Sequence, residues 1–368
     1  MHRGKRLRSY LRSIRVNKES KENIMKLMKT EEAVGQVLCH DITQIIPGVT
    51  KDAVFRKGHI ITKEDIPVLL SVGKEHIYIW ERDEHMLHEN EAAQILYEMC
   101  RNEHMHPSAV KEGKIELIAD CDGLFKVDRE KLRKVNSLGE MMIATRHGNT
   151  FVKKGDKLAG TRIIPLVIEK EKMERAKEIC NDGSILEIKP LQPKKAAILT
   201  TGSEVYHGRI QDKFTPVLVE KLKEYGSEVI FHEIYDDDHE AITKGCLSAI
   251  EQGAEIVLCT GGMSVDPDDK TPLAIKNTGA RIVSYGAPVL PGAMFLVSYY
   301  EYKDKTIPIV GLPGCVMYAK RTIFDLALPR LLANDFITAE ELALLGEGGL
   351  CLNCPVCTYP NCGFGKGW

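Results

Sequence analysis

A-A-I-L-T-T-G-S-E-V at residues 196–205 and I-V-L-C-T-G-G-M-S-V at 256–265 decide the fold of this chain. Each is a short apolar run that stops at glycine, as the buried strands of an open parallel sheet do. Ligands of such sheets bind outside the carboxyl ends of the strands, where glycine turns expose backbone N–H groups and helix N-termini add a positive dipole. The two runs therefore predict an anion-binding edge near Gly202, Gly261 and Gly262.

The residues around these runs alternate between strand-like and helix-like patterns. Such alternation predicts a parallel sheet with right-handed crossovers and helices on both faces. The strands are predicted at 196–200, 228–234 and 256–259, and the helices at 215–225, 239–251 and 271–277.

Three acidic residues are placed to reach the same edge. Asp212 and Asp269 each precede a predicted helix, and Asp237 follows the second predicted strand. Carboxylates beside a phosphate-accepting turn suggest Mg²⁺, whose ligands commonly combine one or two Asp with substrate phosphate. Aspartate is also among the best residues for capping a helix N-terminus. Each acid is therefore either a cap or part of a magnesium site, and the two glycine turns favour the site for Asp212 and Asp269.

Six short motifs together resemble the molybdopterin-binding domain of molybdenum-cofactor biosynthesis proteins. The resemblance covers residues 195–332 and implies a molybdopterin-binding α/β domain with a mostly parallel sheet. It also implies that adenylylated molybdopterin lies on the glycine turns and that Asp212, Asp237 and Asp269 act on it through Mg²⁺. The motifs are Thr201-Gly202-Ser203-Glu204, Ile210-Gln211-Asp212, Tyr235-Asp236-Asp237-Asp238, Thr260-Gly261-Gly262-Met263-Ser264, Asp269-Lys270-Thr271 and Gly311-Leu312-Pro313-Gly314. The pterin-binding residues that it implies are Thr201, Gly202, Ser203, Glu204, Thr260, Gly261, Gly262, Ser264, Thr271, Pro291, Gly292, Pro313 and Gly314.

Two branches of that family share features with this chain. Residues 34–80 resemble the N-terminal region of molybdopterin molybdotransferases, whereas Gln211-Asp212-Lys213 with Pro216 and Asp269-Lys270-Thr271-Pro272 resemble molybdopterin adenylyltransferase. Where molybdotransferases carry Lys-Pro-Gly-Lys-Pro, this chain has Leu290-Pro291-Gly292-Ala293-Met294 and so lacks both lysines. The resemblance implies a transferase that inserts molybdate or tungstate; a non-catalytic carrier serving an apo-molybdoenzyme and an adenylyltransferase are the alternatives.

The C-terminus holds a dense group of cysteines. Cys351, Cys354, Cys357 and Cys362 form C-x2-C-x2-C-x4-C in a segment rich in Pro and Gly. This spacing nearly repeats the ferredoxin run that binds an iron–sulfur cluster, with one additional residue before the last Cys. Zinc sites also use four cysteines but separate the pairs by a longer loop. We predict a metal site, with an iron–sulfur cluster favoured over Zn²⁺ and a free-thiol or disulfide tail as the alternative.

Composition and length complete the sequence-based description. The chain has 368 residues, 50 Lys and Arg against 52 Asp and Glu, and no apolar run of membrane-spanning length. We expect a cytoplasmic protein without nucleic-acid or membrane partners, and the resemblance implies a homodimer. The predicted divisions are a basic disordered tail (1–28), a mixed α/β and β-rich dimerisation region (29–190), the pterin domain (191–336) and a helix with the cysteine tail (337–368).

Within the N-terminal region, two further patterns carry expectations. Residues 115–168 are predicted to be β-rich, and Lys189-Pro190 with Gln192-Pro193 is assigned to a linker. His85, His88, His104 and His106 flank a predicted helix at 89–100. We expect these histidines on the surface rather than in a metal site.

Overall fold

The structure is a computed structural model that describes residues 25–46, 50–80 and 85–367. Most of the predicted basic tail therefore lies outside the described residues. Within the described part, no helix is both long enough and apolar enough to cross a membrane. The strands are β1 (Met25–Lys29), β2 (Ile42–Ile46), β3 (Thr50–Phe55), β4 (His76–Trp80), β5 (Met86–His88), β6 (Met105–Pro107), β7 (Ile115–Ala119), β8 (Gly123–Val127), β9 (Met141–Thr145), β10 (Thr150–Val152), β11 (Lys157–Ile163), β12 (Val167–Glu169), β13 (Leu186–Pro190), β14 (Lys195–Thr201), β15 (Glu228–Tyr235), β16 (Ile256–Thr260), β17 (Arg281–Tyr285), β18 (Leu296–Tyr302) and β19 (Lys305–Leu312).

Helices connect these strands, and two short 3₁₀ helices lie at Thr30–Glu32 and Gly314–Met317. The α-helices are α1 (Asp65–Ser71), α2 (Glu89–Cys100), α3 (Arg129–Ser137), α4 (Lys170–Ile179), α5 (Ser203–Tyr206), α6 (Phe214–Lys223), α7 (His239–Glu251), α8 (Thr271–Asn277), α9 (Ile323–Leu332) and α10 (Ala339–Leu344).

The largest sheet in the described residues has the strand order β15-β14-β16-β19-β18-β17. β14 pairs in parallel with β15 and β16, and β16 pairs in parallel with β19. β18 and β17 complete one edge in antiparallel pairing. The predicted α/β architecture with a mostly parallel sheet is thereby confirmed, and the carboxyl ends of β14, β16 and β19 meet at one edge.

Both faces of this sheet are covered, which explains the continuous apolar runs at 196–199 of β14 and 256–259 of β16. Successive side chains of a strand point to opposite faces. Ile198 packs in the cluster that contains Leu218 of α6 and Phe324 of α9. Its neighbour Leu199 packs in the opposite cluster, which contains Ile242 of α7.

The N-terminal region differs from its prediction in three places. Helix α3 interrupts the segment predicted to be β-rich; Asp128 caps it by accepting a hydrogen bond from the Lys131 N–H at 2.9 Å. Of the predicted linker, Lys189-Pro190 is the end of β13, which pairs with β8, whereas Gln192-Pro193 lies between β13 and β14. His88 is buried rather than on the surface, because its ring caps α2 and its Nε2 lies 2.9 Å from the Cys39 carbonyl oxygen.

A buried charge network joins the N-terminal region to the domain that contains the six-stranded sheet. Asp335 accepts hydrogen bonds from Lys126 and Lys189 of the N-terminal region, each at 2.8 Å, and from Arg330 of α9 at 2.7 Å. Burial raises the pKa of the Asp335 carboxyl, but the Arg330 charge and the two lysine hydrogen bonds outweigh it and bring the pKa to about 2. The carboxylate is therefore ionised at all ordinary pH values, and it holds the two regions together.

Candidate functional site: the strand-end rim and the cysteine tail

We define the strand-end rim as the carboxyl ends of β14, β16 and β19 together with the turns that follow them. Hydroxyl groups hold its centre together. Thr201 Oγ1 donates to the Thr260 carbonyl at 3.0 Å and lies 2.9 Å from the Thr271 hydroxyl. All three threonines are buried. The predicted pterin-binding residues of β14, β16 and α8 are thus brought into direct contact.

One polar atom of the rim has no partner. Of the buried side-chain nitrogens and oxygens in the described residues, Thr260 Oγ1 alone makes no hydrogen bond to the protein. A buried hydroxyl without a partner costs free energy that a bound ligand or ordered water recovers. The end of β16 therefore presents a polar group that the fold itself leaves unsatisfied.

The glycine turn after β16 fits this edge because it carries no side chains. Gly261 and Gly262 have φ values of 81° and 53°. A Cβ on Gly261 would lie 2.1 Å from the Thr201 carbonyl oxygen, and one on Gly262 would lie 2.8 Å from the Thr271 hydroxyl. The close approach and the positive φ both require glycine here. At the end of β14, Gly202 has a φ of 131° and begins the short helix α5.

Asp212 is a helix cap in the structure. Its Oδ1 accepts from the Phe214 and Thr215 N–H groups at 2.8 and 3.2 Å, and its Oδ2 accepts from the Thr215 and Thr200 hydroxyls at 2.5 and 3.0 Å. His232 Nε2 lies 3.5 Å from the same oxygen. Burial raises the pKa of the Asp212 carboxyl, but the hydrogen bonds from Thr215 and Phe214 lower it by more. The pKa of Asp212 therefore lies below its usual value. Asp212 thus fixes the start of α6 beside the end of β14.

Asp237 and Asp238 have different roles although they are adjacent. Asp238 caps α7, because its Oδ1 accepts from the Glu240 N–H at 2.8 Å. Asp237 instead faces the rim, where its Oδ2 accepts from the Ser203 N–H at 3.0 Å. Burial raises the pKa of Asp237, and the nearby charges of Asp236, Glu204 and Asp269 raise it further. From the sequence alone, Asp237 could be either a helix cap or a site residue. In the structure Asp238, not Asp237, caps α7.

Asp269 lies in the turn before α8 and does not cap it. The N-terminal capping position is Lys270, which makes no side-chain capping bond. The Asp269 carboxylate accepts from the Asp266 N–H at 3.4 Å. Its charge contributes to the raised pKa of Asp237. Asp237 and Asp269 thus lie near enough to interact electrostatically, whereas the Asp212 carboxylate is held by Thr200, Phe214 and Thr215.

The other predicted contact residues lie around this edge with unequal exposure. Ser264 and Glu204 are exposed, and the Tyr285 hydroxyl donates to the Met263 carbonyl oxygen at 2.8 Å, beside Ser264. Pro313 and Gly314 follow β19 directly. Gly292 has a φ of 136° and packs so closely on α9 that a Cβ would lie 2.4 Å from Ile323. Pro291 accepts a hydrogen bond from the Ile323 N–H at 3.1 Å through its carbonyl oxygen.

The cysteine tail, residues 351–362, lies beside the segment that lacks the two lysines. Leu290 N–H donates to the Gly349 carbonyl, and the Cys351 N–H donates to the Leu290 carbonyl, both at 2.8 Å. Cys351 and Cys362 are half-buried, while Cys354 and Cys357 are exposed. All four sulfurs are free thiols, and no three His, Cys, Asp or Glu side chains in the described residues are grouped as metal ligands.

Sequence reasoning missed several residues at both places. Thr200, Thr215 and His232 surround Asp212, and Arg321 reaches the cysteine tail. A Thr three residues after a capping Asp was a usable signal for Thr215. His232 and Arg321 are distant in sequence from the residues that they contact, so no local pattern predicts their positions.

The comparisons with known proteins assign the central domain. Residues 197–333 match the family described as probable molybdopterin binding domain. Residues 27–81 match a family described as a domain of unknown function. This match assigns no function to the N-terminal segment that resembles molybdotransferases. The chain thus carries a molybdopterin-binding-type α/β domain, and the predicted resemblance is confirmed for this part of the chain.

Curated relatives come from both predicted branches. The chain is 27% identical over 135 residues to a molybdopterin adenylyltransferase of Pyrococcus furiosus, covering 37% of this chain and 76% of the relative. It is 26% identical over 196 residues to a molybdopterin molybdenumtransferase of a Nostoc species, covering 51% of this chain and 44% of the relative. Less than half of the latter relative is therefore represented.

One solved structure to which the chain is similar covers about a third of it. It is a tungsten cofactor synthesizing protein from Pyrococcus furiosus, with a TM-score of 0.30, 21% identity, and coverage of 34% of this chain and 84% of that one.

Proposed function

We propose that this protein acts in molybdenum or tungsten cofactor biosynthesis and binds adenylylated molybdopterin at the strand-end rim to insert the metal oxyanion. The family match over residues 197–333 supports the ligand class. The observation that carries the placement is the rim itself, where the partnerless Thr260 hydroxyl adjoins the side-chain-free turn at Gly261 and Gly262. The N–H groups of this turn and of the turn at Gly202 would hold the ligand's phosphates.

Magnesium fits the acidic side of the rim. Asp237 lies near the like charges of Asp236, Glu204 and Asp269, which raise its pKa beyond the effect of burial. Asp237 and Asp269 would hold Mg²⁺, whose oxygen ligands are commonly a few carboxylates and substrate phosphate. The ion would neutralise phosphate charge during cleavage of the phosphoanhydride. Asp212, whose oxygens already accept hydrogen bonds from Thr200, Phe214 and Thr215, would contribute by fixing the N-terminus of α6 beside the phosphates.

The chain would use geometry and charge rather than a nucleophile. The rim threonines would orient the phosphates, and molybdate or tungstate would enter as substrate. Cations near Pro291 come from Lys320 and Arg321, which line the same cavity as that proline. Arg321 is paired with Asp325 at 2.9 Å, so the exposed Lys320 would be the cation that compensates in part for the lysines that Leu290 and Ala293 replace.

Release of AMP tests the proposal. Anaerobically purified protein would be given adenylylated molybdopterin and Mg²⁺, with and without molybdate or tungstate. We expect oxyanion-dependent AMP release that falls at least about tenfold in Asp237→Asn and in Asp269→Asn, because each would lose a metal ligand. Asp266→Asn, an exposed residue of the same loop, is the matched control and should keep the activity. Release that survives in both ligand variants would contradict the magnesium assignment.

A non-catalytic carrier of the finished cofactor is the second candidate. It is favoured by Leu290, which is 56% exposed and offers no charge where the resembled transferases have lysine. Tight binding of the pterin without AMP release, followed by transfer of cofactor to an apo-molybdoenzyme, would establish this function and exclude insertion.

Adenylyl transfer is the third candidate, and the Pyrococcus furiosus relative favours it. Its signature would be Mg²⁺-dependent consumption of ATP with free molybdopterin, with pyrophosphate as product. The homodimer implied by the resemblance belongs to the same proposal, and sedimentation at working concentrations tests it.

A further inference from the structure

All four thiols of the cysteine tail line one cavity. The cavity has a volume of about 570 Å³. Its other lining residues include Pro291, Tyr318 and Arg321. The sequence shows that the four cysteines are close along the chain, but only the tertiary structure shows that they face a common space. That space adjoins the segment from Leu290 to Gly292.

Hydrogen bonds hold both ends of the tail to the rest of the protein. At its start, Cys351 pairs with Leu290. Near its end, the Tyr359 hydroxyl donates to the Asp325 carbonyl of α9 at 2.9 Å, and Asn361 accepts from Arg146 of the N-terminal region at 3.2 Å. Cys354 and Cys357 lie between these anchors, on either side of the bend at Pro355-Val356, and both are exposed. The tail thus has fixed ends and a middle segment that projects into solvent.

Two cations accompany the thiols. The Arg321 guanidinium lines the same cavity as Cys357 and lies 4.9 Å from the centre of the Tyr359 ring, and it donates a hydrogen bond to Asp325 at 2.9 Å. Lys366 lies beside Cys362, since both residues line a second, neighbouring cavity. Positive groups of this kind stabilise thiolates and offset the negative charge of a thiolate-ligated metal centre.

We propose that Cys351, Cys354, Cys357 and Cys362 bind an iron–sulfur cluster in this cavity. Neither the family match nor the relatives assign such a site, and the proposal does not depend on the ligand of the rim. Among the described residues, the four thiols do not lie close enough together to be ligands of one metal ion. Binding would bring Cys354 and Cys357 towards the anchored Cys351 and Cys362, with each thiol losing its proton.

A cluster suits the site better than a single zinc ion. The C-x2-C-x2-C run places three ligands within seven residues, as in ferredoxins, whereas structural zinc sites usually separate two C-x2-C pairs by a longer loop. Tyr318, on the wall of the cavity, follows Gly314 of the rim by one 3₁₀ turn. At about 2 Å of rise per residue, these four residues span roughly 8 Å. A cluster here would therefore lie next to the strand-end rim.

Anaerobic reconstitution with Fe²⁺ and sulfide tests this proposal on the full chain. We expect about four iron and four sulfide per chain, a broad thiolate-to-iron absorption and an electron paramagnetic resonance signal after reduction. Cys354→Ser and Cys357→Ser should each lose most of the bound iron. Both positions are exposed, so the variants should fold, which circular dichroism would verify. Cys180→Ser, a half-buried cysteine outside the cavity, is the matched control and should keep the cluster.

Two results would overturn the proposal. One is a stoichiometric zinc ion that is retained on purification and that iron and sulfide do not replace. The other is iron uptake that remains the same in Cys354→Ser, Cys357→Ser and the Cys180→Ser control. AMP release from the rim is measured separately, so failure of the cluster proposal and failure of the proposed function give different results.

Discussion

The strand-end rim and the cysteine tail are adjacent, but they are built in opposite ways. At the rim, the side chains of Thr201 and Asp212 are already hydrogen-bonded to other parts of the same domain. In the tail, Cys354 and Cys357 are exposed thiols in a segment that forms neither helix nor strand. A rim of this kind exists before its ligand arrives, whereas the tail needs a ligand to complete its geometry. Substitutions should therefore affect folding at the rim and metal content in the tail.

The strongest test of a preformed rim is Gly261→Ala. Its methyl group would meet the Thr201 carbonyl oxygen at 2.1 Å with φ at 81°. We expect a loss of about 3 kcal/mol in the free energy of unfolding, measured by urea denaturation. Gly208 has a similar φ of 69° and no atom within 4 Å of its Cβ position, so Gly208→Ala should cost only about 1 kcal/mol. Equal losses would show that the turn is not closely packed against β14.

Asp212 comes next, because it supports the rim by capping α6. Asp212→Ala should lower the free energy of unfolding by about 1 to 2 kcal/mol, while Asp212→Asn, which still caps, should cost less than about 1 kcal/mol. The folded-state pKa of Asp212 lies below its usual value. Its charge-dependent stabilisation is therefore present above about pH 4 and lost as the pH falls through the folded pKa. Denaturation at neutral and acid pH would follow this change, and an Asn variant as unstable as Ala would argue against a cap.

Asp237 should behave in the opposite way. Its pKa is raised in the folded protein by burial and by neighbouring acids. Ionisation at neutral pH therefore works against folding, and Asp237→Asn should slightly raise the thermal midpoint of the ligand-free protein. The gain should vanish at a pH below about 4, where wild-type Asp237 is protonated in both states. The same variant should lose Mg²⁺-dependent binding, and a lower midpoint at neutral pH would contradict this view of the site.

The smallest effect on folding is expected in the tail. Replacing both Cys354 and Cys357 by Ser should change the free energy of unfolding of the metal-free protein by no more than about 0.5 kcal/mol, since both side chains are exposed. Limited proteolysis would show whether added iron and sulfide protect residues 351–362 in the wild type alone. Protection in the variant as well would mean that the tail is ordered without these thiols.

The sheet and its helices were predictable because their signals are local. The helices His239–Glu251 and Thr271–Asn277 have the predicted bounds, and the apolar runs of β14 and β16 end at glycines that the turn requires. Helix α3 was missed because its residues mix charge with only a few apolar positions and lie in a segment punctuated by glycine. The triple Asp at 236–238 shows the limit of local signals, since any of the three suits a helix start.

By itself, the sequence determined the class of domain, the glycine turns, the acids near them and the four-cysteine spacing. These depend on backbone periodicity, on φ and on the chemistry of residues close along the chain. The tertiary structure decided that Asp238 is the cap and Asp237 faces the rim, that Asp212 is held by Thr200 and Thr215, and that the thiols share a cavity with Arg321. Each of these is a contact between distant segments, and such contacts are set by how the packed sheet and helices orient their side chains, which no local pattern records.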